Sequence, residues 1–408
     1  MLGSMRGRLW FVSLLFTAAL FFAVRPSRAA SCNDTSTFPN TLVIESGDTQ
    51  EPLLKALGKK LRDSQTNPVN LLYITTGSCT LIDDMVNKRP IAAGTNLFYL
   101  PSATEDPTWD VSKASPTCTV NTALPIDIAI SATFVSSCTQ TAVPAPLGTI
   151  NGPIQGYTFV VPKASQQQAI TAEEAYFTFG FGQNGQVQPW LDEQFLFIRP
   201  PTKSTVLTMA AAIGVPAAKW KGQPRDKSGE VLNLVATSPN PEKTIGILGA
   251  EVFDANREKV SVLAYRAYKQ RYAYFPDSTP TSFDKKNLRD GHYTPWAPTV
   301  YITAVDAQNV PTGQRAKLFV DLVLGNTITP KPDVDGLATV ISKGLIPDCA
   351  MKVSRQFEGG NLSLYTPAAA CSCYYESKVQ GSKATCTACT DDGPCNGGTC
   401  RRGVCEAK

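Results

Sequence analysis

Three short hydroxyl-bearing segments each stand between an apolar, β-type run and a helical pattern: Ser46-Gly47-Asp48-Thr49, Thr75-Thr76-Gly77-Ser78 and Thr202-Lys203-Ser204-Thr205. A strand that hands over to a helix through small residues leaves unpaired backbone N–H groups pointing at one spot. The helix dipole favours an anion or a carbonyl oxygen there. Arg199, just ahead of the third segment, could add a planar, charge-assisted fork of donors. Each segment could equally be no more than a helix cap. Catalytic groupings are sparse by comparison. The chain has one histidine, His292, and neither a Gly-x-Ser-x-Gly elbow nor an HExxH helix. A lone histidine is more often structural. Asp83-Asp84 and Asp391-Asp392 read as solvated acids. The chemistry on offer is the holding of a small polar or anionic solute, with no cofactor or metal, and a non-enzymatic role is expected.

The elements that would position these loops alternate between strand and helix. Thr41–Glu45 reads as a strand, and Leu53, Leu54, Leu57 and Leu61 fall on one face of the helix after it. Residues 69–87 repeat the arrangement, and Pro125–Ser131 reads as a buried strand. A second region opens at Gly152-Pro153 with the strand Tyr157–Pro162. Glu173–Phe179 is helical, Phe195–Arg199 a strand, and Thr205–Ile213 a helix stopped by Gly214-Val215-Pro216. Val231–Ala236 and Ile245–Leu248 carry β and helical signals, and Ser282 is placed to cap a helix towards Asp290. Thr299–Ala304 reads as a strand and Arg315–Leu324 as a helix. The alternation predicts mostly parallel sheets with ligand loops at the C-terminal strand ends.

Residues 1–31 read as a secretory signal: Arg6 and Arg8, an apolar run from Leu9 to Val24, then Ser27-Arg28-Ala29. Cys32 lacks the flanking residues of a lipid-attachment site, so soluble export, to a periplasm or the extracellular space, is favoured over a lipid anchor. The leader holds four arginines and no acids. Its removal takes 38 basic against 34 acidic residues to equality. A near-neutral mature chain gives no electrostatic case for nucleic acid or lipid surfaces. Twelve cysteines suit an oxidising compartment. Four lie in the first third, at 32, 79, 118 and 138, and eight fall between Cys349 and Cys405. A metal site at Cys386-Thr-Ala-Cys389 is disfavoured because the neighbouring cysteines are scattered and His292 is remote in sequence.

The order of segments resembles the extracytoplasmic solute-binding proteins, in particular the phosphate-binding-protein-like branch associated with ABC transporters. The resemblance is carried by TLVIESGDTQEPLLKAL, VNLLYITTGSCTLIDDMVN, PIDIAISATF, GPIQGYTFVVPKAS, FIRPPTKSTVLTMAAAIGVP, TIGILGAEVF and LRDGHYTPWAPTVYITAV, over roughly residues 40 to 345. It implies an α/β fold of the type II periplasmic-binding-protein kind, with two lobes, two hinge crossovers and solute trapped between, and it puts His292 near the return from lobe 2 to lobe 1, where hinge packing is expected. On that pattern residues 32–152 and 297–346 form lobe 1, and 153–296 form lobe 2. Residues 347–408 are a cysteine-rich C-terminal tail with a small disulfide-rich module, separable from the solute site.

The resemblance further implies a solute site at Asp48, Thr49, Thr76, Gly77, Ser78, Ser131, Arg199, Ser204 and Thr205. The first loop supplies hydroxyl and N–H groups through Asp48 and Thr49, the second Ser78, and lobe 2 Arg199. Lys203-Ser204-Thr205 only approximates the family's Ser-Gly-Thr. Ala132 stands where the family places an aspartate that accepts the phosphate proton, which predicts weak discrimination between phosphate and sulfate. The implied partners are a small anionic or polar solute and an ABC transporter complex. The alternative is a secreted scaffold or adhesin that keeps the fold without transport and reaches a cell-surface partner through its tail. For the disulfides, Cys118 with Cys138, and Cys349 with Cys371 or Cys373, are the pairings expected.

Overall fold

A computed structural model describes residues 30–382 and 384–407. The expected leader therefore lies, apart from its last two residues, outside the described residues. The strands in chain order are β1 (Thr41–Gly47), β2 (Asn70–Thr76), β3 (Asn96–Tyr99), β4 (Thr117–Thr119), β5 (Ile128–Ser131) and β6 (Leu147–Pro162). They continue with β7 (Ala169–Thr171), β8 (Leu196–Ile198), β9 (Gln223–Pro224), β10 (Ile245–Gly249), β11 (Val260–Val262), β12 (Ala264–Arg266) and β13 (Trp296–Ala304). The helices are α1 (Glu51–Arg62), α2 (Ser78–Val86), α3 (Ala172–Phe181), α4 (Ser204–Ile213) and α5 (Ser228–Ala236). After them come α6 (Ala250–Asp254), α7 (Lys286–Arg289), α8 (Gln314–Leu324), α9 (Gly336–Ser342) and α10 (Ser372–Lys378).

The main sheet runs in the order β4-β3-β2-β1-β5-β13-β6-β10-β8-β9, with β11 on β6. Strands β1, β2 and β5 are mutually parallel, as are β10, β8 and β9. In the sheet, among the described residues, the two groups are joined through β6 and β13, which pair antiparallel with each other and with a neighbour on either side. β6 is 16 residues long and changes partner along its length: its first part pairs with β13, its last part with β10 and β11. The loops after β1, β2, β5 and β8 leave from C-terminal strand ends, where parallel α/β sheets place ligands. Because β6 and β13 link two oppositely built half-sheets, they carry those loops to one place.

Most expected elements appear. Two departures have physical causes. Only Tyr157–Pro162 of β6 was expected as strand, since Gly148, Gly152 and Pro153 punctuate its first half. Pairing with the nine residues of β13 overrides that local signal. The helix expected from Ser282 shrinks to the four residues of α7, because Ser282 bonds within its own turn, to Thr279 and Ser278.

Apolar side chains fill both faces of the sheet. One cluster joins Leu42, Ile44, Leu54, Leu57, Tyr73, Ile130 and Phe319. A larger one starts from Tyr157, Phe159, Phe179, Met209 and Trp296, and continues through Ile346, Ala350, Met351, Cys371, Tyr374 and Tyr375. The segment expected as a detachable tail thus supplies fully buried core residues. α10 is tied on three sides: Glu376 to Arg289 at 2.9 Å, the Tyr374 hydroxyl to Asp335 at 2.7 Å, and its first N–H groups to Glu406 at 2.7 and 2.8 Å.

Six disulfides account for all twelve cysteines. Cys349 pairs with Cys371. The expected bond between Cys118 and Cys138 is not formed. Cys118, on β4, meets Cys32 on the segment alongside, whereas Cys138 faces Cys79 at the start of α2. Distance along the chain misled, because sheet pairing brings residue 31 against residue 119.

Candidate functional site

Three helices start beside one another without a side-chain cap. Gly47, before the 3₁₀ turn Asp48–Gln50 that leads into α1, Gly77, before α2, and Lys203, before α4, make no capping hydrogen bond. A methyl group placed on Gly77 would lie 3.1 Å from the Thr202 carbonyl, and one on Gly47 would lie 3.6 Å from Ser78 Oγ. Glycine suits position 77 because the loops from the two half-sheets approach closely here, and a larger residue would push the Thr202 carbonyl back. The Cys79 N–H donates to Thr202 O at 3.2 Å, and Lys203 Nζ donates to Thr76 O at 3.2 Å. The expected loops therefore converge across the seam between the half-sheets.

The expected residues divide by what they hold. Arg199 is 1 % exposed, and its Nη2 bonds both oxygens of Asp48, each at 3.0 Å. The same carboxylate accepts the Ser228 N–H at 3.2 Å and its hydroxyl at 3.0 Å. Burial pushes the Asp48 carboxyl up, but the Arg199 charge and hydrogen bonds, with Ser228 and Lys203, more than offset this and hold it below the ordinary carboxylate range. Asp48 was expected to help donate to a solute. Its carboxylate is instead an acceptor, and it already has Arg199.

Ser131 Oγ donates to Thr133 O at 2.8 Å and Thr76 Oγ1 to Glu45 at 2.7 Å, so neither hydroxyl is free to donate. Ser78 Oγ accepts the Ala132 N–H at 3.2 Å. Ser204 is buried beside the Tyr157 hydroxyl, which donates to Ala132 O at 2.5 Å. Thr49 Oγ1 and Thr205 Oγ1 are buried and have no hydrogen-bond partner among the described residues. Thr49 sits in the 3₁₀ turn Asp48–Gln50 that leads into α1, and Thr205 in the first turn of α4.

Several residues at the site were not legible beforehand. Glu358 bonds the hydroxyls of Thr133, after β5, and Thr208, on α4, the latter at 3.1 Å. It comes from the turn between β14 (Val353–Ser354) and β15 (Ser363–Leu364), beyond the residues that carried the resemblance. The expectation that residues after 346 stay clear of the site is thereby corrected. Burial raises the Glu358 carboxyl to about 7, against the lowering effect of the Thr133 hydroxyl and Arg355. A second chain crosses the floor: Gln50 Nε2 donates to Gln155 at 3.0 Å, and Gln155 donates to Glu251. Burial raises Glu251 to about 8, and nearby Asp48 adds to the shift. Local pattern could not reveal these residues, because each acts through partners about a hundred or more positions away.

Other candidates fall outside the site. His292 is exposed and stacks on Tyr274 at 4.8 Å between ring centroids, so it packs on the surface rather than in the hinge. Asp83 and Asp84 pair with Arg89. Among the described residues the sulfurs of Cys389, Cys395 and Cys405 lie close together, but all are in disulfides and offer no thiolate. No helix among them is long and apolar enough to cross a membrane.

No protein-family model matches the chain, and no curated protein matches it. Solved structures do. A candidate phosphate ABC transporter substrate-binding protein from Clostridium perfringens, with bound phosphate, superposes with a TM-score of 0.50 at 14 % identity, over 76 % of this chain and 99 % of that one. What is shared is the fold. An ABC-type phosphate transport receptor from Vibrio cholerae gives 0.46 at 13 % identity, over 75 % and 99 %. PstS from Borrelia burgdorferi gives 0.41 at 16 %, over 76 % and 98 %. The architecture is the mixed α/β one of periplasmic binding proteins, with a disulfide-rich C-terminal region added.

Proposed function

We propose that this is an exported, two-lobed binding protein, not an enzyme, that holds a small polar or anionic solute between its lobes. The observation that carries this reading is the pair of buried, unpartnered hydroxyls, Thr49 Oγ1 and Thr205 Oγ1, on helix starts from opposite half-sheets. Buried hydroxyls without partners are uncommon in folded proteins, and two that face one seam can both be satisfied by a single solute there. The uncapped N–H groups around them suit an oxyanion or a carboxylate. The lobes are residues 32–152 with 297–346, and 153–296, hinged on β6 and β13, and solute capture is coupled to their closure. The Clostridium perfringens neighbour holds phosphate, which makes phosphate and sulfate the first solutes to test, with delivery to an ABC transporter as the physiological role. Six disulfides support an oxidising, exported location. Calorimetry against phosphate, sulfate and small carboxylates should find one that binds, and Thr205→Ala should weaken it about tenfold, the usual scale for losing a buried hydrogen bond. Binding unaltered by both Thr49→Ala and Thr205→Ala contradicts the site.

The second reading is a scaffold that has kept the fold and dispensed with transport. The direct Asp48–Arg199 pair across the seam favours it, as does the C-terminal segment that packs into the core. A wild-type protein that binds none of the solutes supports this alternative.

A further inference from the structure

Arg199 is already engaged by partners within the chain. Its Nε donates to Arg225 O at 2.9 Å, Nη1 to Ser228 Oγ, and Nη2 to Asp226 O at 2.7 Å and to the Asp48 carboxylate. Four of its five N–H groups are thus engaged within the chain. Beside it, the first turn of the nine-residue helix α5 turns the Ser228 N–H and hydroxyl on the same carboxylate oxygen. A guanidinium, a helix N-terminus and a hydroxyl converging on one carboxylate are what a protein uses to bind an external anion. Here the anion belongs to the chain, and it arrives from the other half-sheet.

Resting on the two-lobed reading above, we propose that Asp48 is the resident ligand of an anion site formed by Arg199 and Ser228. The cleft is then latched shut from within, and an incoming solute need not neutralise Arg199. Two consequences follow for that solute. It meets the neutral donors at Thr49, Ser78, Ser204 and Thr205 rather than a free guanidinium, so its class is neutral or singly charged, with oxygens to accept hydrogen bonds. Multiply charged anions gain nothing from Arg199 unless they displace Asp48. Closure, moreover, is held by further bonds within the protein. Lys227 Nζ to Thr75 Oγ1, at 3.0 Å, and Glu358 between Thr133 and Thr208 bridge the same seam.

The test uses the full exported chain and inorganic sulfate, followed by small-angle X-ray scattering and calorimetry. Wild-type protein should show the same radius of gyration with and without millimolar sulfate. Asp48→Asn, which keeps shape but removes the charge, should be more extended. Sulfate should compact it and bind at least about tenfold more tightly than to wild type. If Asp48→Asn folds poorly, Asp48→Ser, which also removes the charge and leaves Arg199 and Ser228 in place, should shift both readouts in the same direction. Compactness and sulfate affinity unchanged in both variants overturns the latch, as does a wild-type chain that itself closes on sulfate. A latch signature without any solute bound at Thr49 and Thr205 removes the solute reading and leaves the latch. Solute binding with no latch signature does the reverse.

Discussion

At the scale of single residues, the decisive pair is Arg199 with Asp48, 151 positions apart in sequence. Arg199 was legible as a strand-end arginine ahead of a hydroxyl loop. Its partner was not, because a carboxylate in a helix-start loop looks like a cap until the fold shows what it faces. The pair is buried, with the arginine side chain fully covered and Asp48 nearly so. Removing one member of such a pair leaves the other charge in a poorly solvated place, a loss of about 3–5 kcal/mol, whereas replacing both by apolar groups of like volume is far milder. Arg199→Ala should therefore destabilise the protein by about that amount in urea unfolding, and Arg199→Met with Asp48→Leu by much less. A single variant as stable as wild type would remove the pair from any structural account. The reason Ser131 and Thr76 were over-read is similar. Hydroxyl identity was visible, but whether the hydroxyl was already spent, on Thr133 O or on Glu45, depended on tertiary partners.

Among elements, those with a strong local period were legible and those stabilised by distant partners were not. α1, α4 and α8 carry apolar stripes, and Gly214 ends α4 in a left-handed conformation at φ 75°. β6 contradicts its own glycines because β13 completes its hydrogen bonds. The disulfides belong to this scale too. Cys79–Cys138 ties the start of α2, one of the site's helix N-termini, to the turn after β5, across a sequence separation of 59. In the chain-entropy model a loop of that size is worth about 4 kcal/mol. The Cys79→Ser, Cys138→Ser double variant should lose up to that amount in denaturant unfolding, with the loss appearing at the site as weaker solute binding. A variant with unchanged stability would show that the helix start is held without it. For the C-terminal segment, a stop after Cys371 removes the buried Tyr374 and Tyr375 and should prevent folding, as judged by near-UV dichroism. A stop after Ser382 with Cys373→Ser keeps both tyrosines and should leave a folded, less stable protein. Equal folding of the two truncations would mean that α10 is not part of the core.

Across the whole molecule, the fold class and the order of the loops could be read from sequence because strand–helix alternation repeats. What could not be read is how the chain's own acids gather at the seam. Glu45 is raised to about 7 by burial and by Asp84, Glu358 to about 7, and Glu251 to about 8. Each holds its proton in the folded protein over a range in which the unfolded chain has released it. The folded state thus binds more protons between about pH 4.5 and 8, and stability must fall as pH rises through that window. Asp48 acts in the opposite sense. Its carboxyl is depressed by Arg199 against the pull of burial, so its contribution is complete above the unfolded value near 4 and is lost as pH falls below it. Together these groups place the stability maximum near pH 5, not at the neutral or slightly alkaline pH expected of a chain whose acids are all exposed or paired. The melting temperature should therefore be higher at about pH 5 than at pH 8, and should drop again below about pH 4. Glu358→Gln and Glu251→Gln should each flatten the alkaline decline, because an amide keeps the same stability on both sides of the lost titration. Asp48→Asn should blunt the acid limb alone. A melting profile that rises from pH 5 to 8, or one that the two glutamine variants leave unchanged, would show that these carboxyls are ionised in the folded protein and that the seam is wetter than its geometry indicates.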